Sequence, residues 1–138
     1  MIRRFRTWAH VVLAAAVALL MTSCALLSQP SQVDGSYTDI TVDQLATMLE
    51  DKDFTLVNVH VPYEGEIAQT DLFIPFDDIA QHTDELPEKD DPIVLYCRSG
   101  SMSTTAAETL VSLGYSQVFE VDGGMNAWRA AGYELLGQ

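Results

Sequence analysis

One cysteine of the sequence lies where its side chain could act as a nucleophile. The apolar run Ile93–Tyr96 predicts a strand, and Cys97–Met102 joins it to a helix predicted to begin with Ser103 as its N-cap. Functional groups in open α/β sheets lie at the carboxyl ends of strands. The small residues that allow a tight loop with inward-pointing amides are Ser99, Gly100 and Ser101. Because such amides, the helix N-terminus and Arg98 favour an anion, we expect Cys97 to be an accessible thiol with a lowered pKa.

Other kinds of site fit these residues less well. Tyrosine-phosphatase-like enzymes need an Arg at the position of Ser103 to bind phosphate through two hydrogen bonds. A metal site needs clustered ligands, and beyond the N-terminal segment the only histidines are His60 and His82. We therefore predict no metal and no cofactor. A Cys97–His60 catalytic pair stays open, because His60 follows a strand that could neighbour the Cys97 strand; the alternative is that His60 is only a polar loop residue.

The elements that must position this loop alternate along the chain. Nearly all-apolar strands, typical of a parallel sheet covered on both faces, are predicted at 54–59, 72–75, 93–96 and 118–121. Helices are predicted after a capping box at 41–44, briefly at 77–83, from Ser103 to Gly114, and from Met125 to Gly132. Their inward-facing residues are Leu45, Met48, Leu49, Ala106, Ala107, Leu110, Val111, Met125, Trp128 and Ala131. This alternation implies an α/β sandwich with a largely parallel sheet.

The N-terminal segment has the features of an export signal. Arg3, Arg4 and Arg6 precede an unbroken apolar run at 11–20, which as a helix would span about 15 Å, half of a membrane's hydrocarbon core. The next four residues, Met21–Cys24, resemble a bacterial lipobox, in which the cysteine is lipid-modified and begins the mature protein. A plain signal peptide or an uncleaved anchor is the alternative.

These observations predict three segments. They are a lipoprotein signal peptide at 1–23, a lipid-anchored tether at 24–40 and a folded domain at 41–138. Because the basic end stays in the cytoplasm, the domain is expected in the cell envelope, anchored to a membrane on its non-cytoplasmic side. With Cys24 carrying lipid, Cys97 would have no cysteine partner in the chain.

The charge of the chain argues against nucleic acid as a partner. The 138 residues include 7 Lys and Arg against 20 Asp and Glu, a net charge of −13. All of the acidic residues follow Cys24. Such a surface repels phosphate and releases no counterions from it.

Two motifs resemble the rhodanese family. Cys97–Ser103 looks like the active-site loop of rhodanese domains, Cys-Arg-x-Gly-x-(Arg or Thr)-Ser, and 122–133 is similar to their Gly-Gly-x-x-Ala-Trp-x-x-Ala-Gly-Tyr ending. The resemblance covers Thr41 to Gly137 and implies a rhodanese-like three-layer sandwich, with a central, mostly parallel sheet and helices on both faces. It implies a sulfurtransferase in which Cys97 carries sulfane sulfur as a persulfide to a thiophilic acceptor. The substrate-binding residues that it implies are Arg98, Ser99, Gly100, Ser101, Met102 and Ser103.

Departures from the family pattern bear on the sulfur donor. Asn58-Val59-His60 stands where the family usually has Asp-Val-Arg, and Glu66 stands for a His. Met102 occupies the loop position where a cation helps to hold thiosulfate, so this acidic domain should bind thiosulfate poorly. The expected partners are a small sulfur donor and a thiol or cyanide-like acceptor, with an acceptor protein as a further candidate. A second function stays open: a low-turnover module that relays persulfide, binds a partner or senses oxidants.

Overall fold

Five parallel strands form the sheet that positions the cysteine loop. The computed structural model describes residues 36–138, so the predicted signal peptide and the lipobox cysteine Cys24 lie outside the described residues. The strands are β1 (Thr38–Ile40), β2 (Thr55–Asn58), β3 (Leu72–Phe73), β4 (Ile93–Tyr96) and β5 (Val118–Val121). Their order in the sheet is β1-β5-β4-β2-β3, and each neighbouring pair is parallel. The cysteine strand β4 is therefore central.

Among residues 36–138, three α-helices cover the sheet. They are α1 (Val42–Met48), α2 (Ser101–Ser112) and α3 (Gly124–Ala130), and short 3-10 turns lie at Leu49–Asp51 and Ile79–Gln81. Helix α1 begins at the predicted capping box: the Gln44 amide donates to the Thr41 hydroxyl, and the Gln44 side chain accepts from the Thr41 amide. Within the described part of the chain, no helix is long and apolar enough to span a membrane.

The side chains of β4 divide between the two faces of the sheet. Ile93 and Leu95 pack in the apolar cluster with the buried residues of α2, whereas Val94 and Tyr96 pack in the cluster with those of α1 and α3. All four are fully buried, which explains why the strand is apolar at every position. This arrangement is the expected α/β sandwich of three layers.

Three sequence predictions differ from the structure in detail. Helix α2 begins at Ser101 because its N-cap is Gly100, which is in the left-handed conformation with φ 101°. Ser103 is therefore not the N-cap and lies buried inside the helix. Ala131, predicted to face inward, is exposed because α3 ends at Ala130. Residues 38–40, assigned to the tether, form β1 through pairing with β5.

Candidate active site around Cys97

The loop between β4 and α2 surrounds the sulfur of Cys97 with hydrogen-bond donors. The amide of Gly100 donates to Sγ at 3.1 Å, and the hydroxyl of Ser103 lies 3.3 Å from it. Both contacts depend on Gly100, whose left-handed backbone turns the chain sharply into α2. The predicted cradle of loop donors around this cysteine is therefore present.

These donors favour the thiolate. Burial raises the pKa of Cys97, but hydrogen bonds from the Ser103 hydroxyl and from the amides of Ser103, Ser99 and Gly100 outweigh it, and the pKa lies below its usual value. The lowered pKa agrees with the sequence prediction.

The predicted accessibility of Cys97 is not found, because its side chain is only 1% exposed. Its side chain continues the alternation of β4 and packs on the same face as Leu95. A sulfur-donating substrate must therefore carry its reactive sulfur at one end, where that sulfur can reach the buried Cys97.

The loop is also fixed from behind by α3. The amide of Met125 donates to the carbonyl of Cys97 at 2.9 Å, and the amide of Asn126 donates to the carbonyl of Arg98 at 2.9 Å. This close approach needs Gly124, which has φ 51° and whose Cβ, if present, would lie 2.2 Å from the Cys97 carbonyl oxygen. The Gly-Gly pair of the second motif thus holds the backbone of the first.

The other residues of that second motif stabilise the fold. The ring of Trp128 stacks on that of Tyr133 with 4.3 Å between centroids, and its Nε1 donates to the Glu134 carbonyl at 3.0 Å. The Tyr133 hydroxyl donates to Asp43 at 3.2 Å, which connects the end of α3 to α1. These contacts keep α3 in position behind the cysteine loop.

The side chain of Arg98 pairs with an acidic neighbour, Glu64. Its Nη1 lies 3.2 and 3.3 Å from the carboxylate oxygens of Glu64, which also contacts His60 Nε2 at 3.0 Å. The hydrogen bond from His60 lowers the pKa of Glu64, and the Arg98 charge adds to this against partial desolvation. Nδ1 of the buried His60 has no hydrogen-bond partner among residues 36–138. The hydrogen-bond partner of His60 is therefore Glu64, and the Cys97–His60 pair considered from the sequence does not form.

Asn58, which replaces the family's usual Asp, organises the loop after β2. It is fully buried, its Nδ2 donates to the Gly65 carbonyl at 3.1 Å, and its Oδ1 accepts from the His60 amide at 3.0 Å. Both of its contacts are to backbone. An uncharged amide suffices for this role.

The remaining loop residues differ in exposure. Ser99 and Ser101 are exposed, whereas Met102 is half-buried and packs against the apolar cluster on the α2 face. Beside the loop lies a cleft of about 340 Å³ whose lining includes Tyr63, Arg98 and Arg129. In the described residues, no three His, Cys, Asp or Glu side chains come together as a metal site would need.

The sequence prediction missed one functional candidate, Glu120. This residue of β5 is 3% exposed, and its carboxyl oxygen lies 2.5 Å from the Ser103 hydroxyl, which is its one hydrogen-bond partner among residues 36–138. A signal was present in the sequence, because Glu120 is the one charged residue of an otherwise apolar strand. Its link to the cysteine needed the register of the sheet.

Comparison with known proteins identifies the family. The sequence model of the family described as rhodanese-like domain matches residues 41–131 of the chain. The chain belongs to this family. It is 35% identical over 103 residues to a protein of Allochromatium vinosum named sulfurtransferase, covering 71% of this chain and 94% of that one. It is 30% identical over 95 residues to the thiosulfate sulfurtransferase GlpE of Tolumonas auensis, covering 67% and 89% of the two chains.

Solved structures of rhodanese proteins share the fold. A rhodanese-like domain protein from Staphylococcus aureus superposes with a TM-score of 0.62 and 31% identity, covering 73% of this chain and 98% of that one. A rhodanese-related protein from Thermoplasma volcanium gives 0.63 and 28%, covering 72% and 98%. The predicted fold class is confirmed.

Proposed function

We propose that this chain is an exported, lipid-anchored sulfurtransferase that carries sulfane sulfur as a persulfide on Cys97. The observation that carries the proposal is the pair of donors on Sγ, the Gly100 amide at 3.1 Å and the Ser103 hydroxyl at 3.3 Å. Donors placed in this way stabilise an anionic sulfur. The names of the relatives at 30–35% identity support sulfur transfer as the reaction.

The loop supplies what each half of the reaction needs. The Cys97 thiolate attacks the outer sulfur of the donor, an S–S bond forms, and the donor's bond to that sulfur breaks with its electron pair leaving on the rest of the donor. The acceptor then attacks the outer sulfur of the persulfide, and the electron pair of the broken S–S bond returns to Cys97. The two steps balance without a cofactor. The loop amides hold the negative charge of the thiolate and then that of the persulfide.

The surroundings of the loop favour a donor other than thiosulfate. Met102 provides no charge, and Arg98 already contacts Glu64 at 3.2 Å. The cleft beside the loop is lined by Arg98, Glu64 and Arg129. Because Glu64 pairs with Arg98, Arg129 is the basic residue of this lining that is left to bind the polar or anionic tail of a small organic donor. The proposed substrate class is therefore a persulfide or other organic sulfane compound, with a small thiol or cyanide as acceptor.

Cyanolysis tests this proposal. The full chain in detergent is assayed for thiocyanate formation with thiosulfate and with glutathione persulfide, beside Cys97→Ala and beside Ser112→Ala, a substitution at the far end of α2. We expect turnover by the unsubstituted chain and by Ser112→Ala, a higher rate with the organic donor, and none for Cys97→Ala. Equal turnover with and without Cys97 would refute the proposal.

A relay module with negligible turnover is the second candidate function. The 1% exposure of Cys97 favours it, because a buried sulfur limits the rate at which an acceptor can collect the persulfide. In this case, intact-mass measurement after treatment with the donor would show one added sulfur on Cys97, while thiocyanate formation would stay at background. A persulfide that is consumed rapidly by small thiols would instead support the enzyme.

The lipid anchor is a separate part of the proposal and has its own test. Replacing Cys24 by Ser should abolish lipid labelling in a bacterial host and leave the precursor unprocessed by lipoprotein signal peptidase. Cys97→Ala is the matched control, because it removes the other cysteine of the chain and should be labelled and processed normally. Absence of lipid on the unsubstituted chain would contradict the lipobox.

A further inference from the structure

A buried carboxyl lies on the far side of the hydroxyl that contacts the cysteine. Glu120 is 3% exposed, and Ser103 Oγ is 2.5 Å from its Oε1 and 3.3 Å from Cys97 Sγ. Within residues 36–138 this is the only hydrogen bond to the Glu120 carboxyl. Residue Ser103 is itself fully buried. The three buried side chains form a continuous chain of contacts.

The hydroxyl of Ser103 has three neighbouring acceptors but one proton. Besides Cys97 and Glu120, the Gly100 carbonyl lies 3.0 Å away, but that carbonyl already accepts the Thr104 amide at 2.9 Å. If Glu120 were ionised, the one proton of the Ser103 hydroxyl could serve only one of two anions. Either the carboxylate would lose its hydrogen bond to Ser103, or the thiolate would lose the hydroxyl and keep only the loop amides. If Glu120 carries a proton, it donates to Ser103 Oγ, and Ser103 donates to the sulfur. Only the second arrangement keeps the Ser103 hydroxyl on the sulfur, beside the Gly100 amide, while the Glu120 carboxyl also keeps its hydrogen bond to Ser103.

Within the described residues, Glu120 forms no ion pair with a basic side chain that would compensate its ionised form. Asp39 lies beside it across the β1–β5 pair, and Asp122 follows two residues later in the chain. Burial raises the pKa of Glu120; the Ser103 hydrogen bond opposes this, and the charges of Asp39 and Asp122 raise the pKa further. Burying an unpaired charge is costly, so Glu120 favours its protonated form.

We propose that Glu120 accepts the proton of the Cys97 thiol through the hydroxyl of Ser103, so that the reactive form is a thiolate beside a protonated carboxyl. The S–H bond breaks and its electron pair stays on sulfur, while Ser103 Oγ gains that proton and passes its own to Glu120 Oε1. The number of protons is unchanged and no other reactant is needed. Glu120 touches no substrate atom; it is a positioning residue that acts through Ser103.

The proposal concerns the same cysteine as the proposed function, but its test needs no sulfur donor. The rate of Cys97 carbamidomethylation by iodoacetamide is measured against pH on the full chain in detergent, by mass spectrometry of the peptide that carries Cys97. Because Cys97 and Glu120 share a proton, we expect two inflections separated by at least about one pH unit, the coupling at which two groups titrate as a pair. Failure of sulfur transfer would leave this profile unaffected.

Substitutions at the carboxyl separate a proton acceptor from a structural contact. Glu120→Gln keeps the shape and can still donate to Ser103, but it cannot take up the proton, so a single inflection is expected. Asp39→Asn is the matched control: it removes a neighbouring acidic charge without touching Ser103, and both inflections should remain. A single inflection in the unsubstituted chain, superposing on that of Glu120→Gln, would overturn the proposal. So would loss of the second inflection in Asp39→Asn.

Infrared spectroscopy provides a second measurement that needs no variant to fold. With isotope-labelled Glu, the carbonyl band of a protonated carboxylic acid should be present at the pH where the ultraviolet absorbance of the thiolate has appeared. It should then disappear at the second inflection of the alkylation profile. A thiolate without any protonated Glu band would show that Glu120 does not hold the proton.

Discussion

Gly124→Ala should weaken both the fold and the chemistry of a cysteine far away in the sequence. The new methyl group would lie 2.2 Å from the Cys97 carbonyl oxygen, and neither the carbonyl nor the left-handed backbone at φ 51° can accommodate it. An Ala in the left-handed region costs about 1–2 kcal/mol. Displacing α3 from the loop also weakens the two hydrogen bonds to the Cys97 and Arg98 carbonyls, each worth about 0.5–1.5 kcal/mol.

The expected loss for Gly124→Ala is therefore about 2–5 kcal/mol of unfolding free energy. Gly132→Ala is the matched control, because Gly132 also has a left-handed φ, of 92°, but a Cβ there would meet nothing within 4 Å. That control should lose only the conformational cost of about 1–2 kcal/mol. Urea unfolding of the two variants, followed by circular dichroism, measures both values.

The same pair of variants separates an effect on the loop from a general loss of stability. If the loop shifts in Gly124→Ala, the Gly100 amide and the Ser103 hydroxyl no longer fit the sulfur, and the pKa of Cys97 rises. Each unit of rise lowers the thiolate fraction, and with it the rate of alkylation near neutral pH, by about tenfold. Gly132→Ala should react like the unsubstituted chain. Equal stabilities of the two variants, or an unchanged alkylation rate in Gly124→Ala, would refute this account of how α3 holds the loop.

Three further changes test other parts of the structure. Met102→Arg adds a charge at the loop position that usually carries one in the family. A charge-assisted contact of about 1.5–3 kcal/mol should raise kcat/KM for thiosulfate at least about tenfold at fixed ionic strength, with a smaller change for an organic donor. Equal changes for the two donors would mean that the substitution alters only the geometry of the loop. Tyr96→Phe leaves the Ile67 amide without its partner at 3.0 Å and should cost about 1–3 kcal/mol in urea unfolding. Burial raises the pKa of Tyr96 to about 12, so the folded state holds the phenol proton more tightly than the unfolded state. The free energy of unfolding should therefore fall as pH rises from about 10, and it should fall less in Tyr96→Phe. The pKa of Glu120 is also raised, so its contribution to the free energy of unfolding should fall as pH rises above about 4.3, the ordinary carboxyl value. Glu120→Gln should flatten this dependence of stability on pH.

Local signals account for the features that the sequence predicted correctly. The capping box at Thr41, the apolar run of β4 and the small residues after Cys97 each depend on neighbours a few positions apart, so they are visible in the chain itself. Together, these local signals were enough to predict the α/β class and the lowered pKa of Cys97. The predicted exposure of Cys97 was wrong because the alternation of β4 continues one residue beyond its end and turns this side chain into the core.

Contacts between distant segments account for what the sequence did not predict. β1 has three residues, two of them exposed, and gives no apolar pattern; its pairing with β5 defines it. The prediction that Ser103 caps α2 was wrong, because the helix starts earlier, at a left-handed turn of Gly100. That turn leaves no pattern of its own in the sequence. The contact of Ser103 with Glu120 joins residues from two elements and becomes visible only when α2 is packed on β5.

Because α3 is attached to the cysteine loop, we expect the thiol to become reactive only late in biosynthesis. Cys97 leaves the ribosome well before Gly124, so a nascent or truncated chain can contain the cysteine without the two amides that hold the carbonyls of Cys97 and Arg98. Without those amides the loop lacks two of the hydrogen bonds that hold it, and we expect the thiol to stay closer to its ordinary, mostly protonated state. A chain that is still being translated thus offers a weak nucleophile to its surroundings, and strong reactivity marks a completed polypeptide.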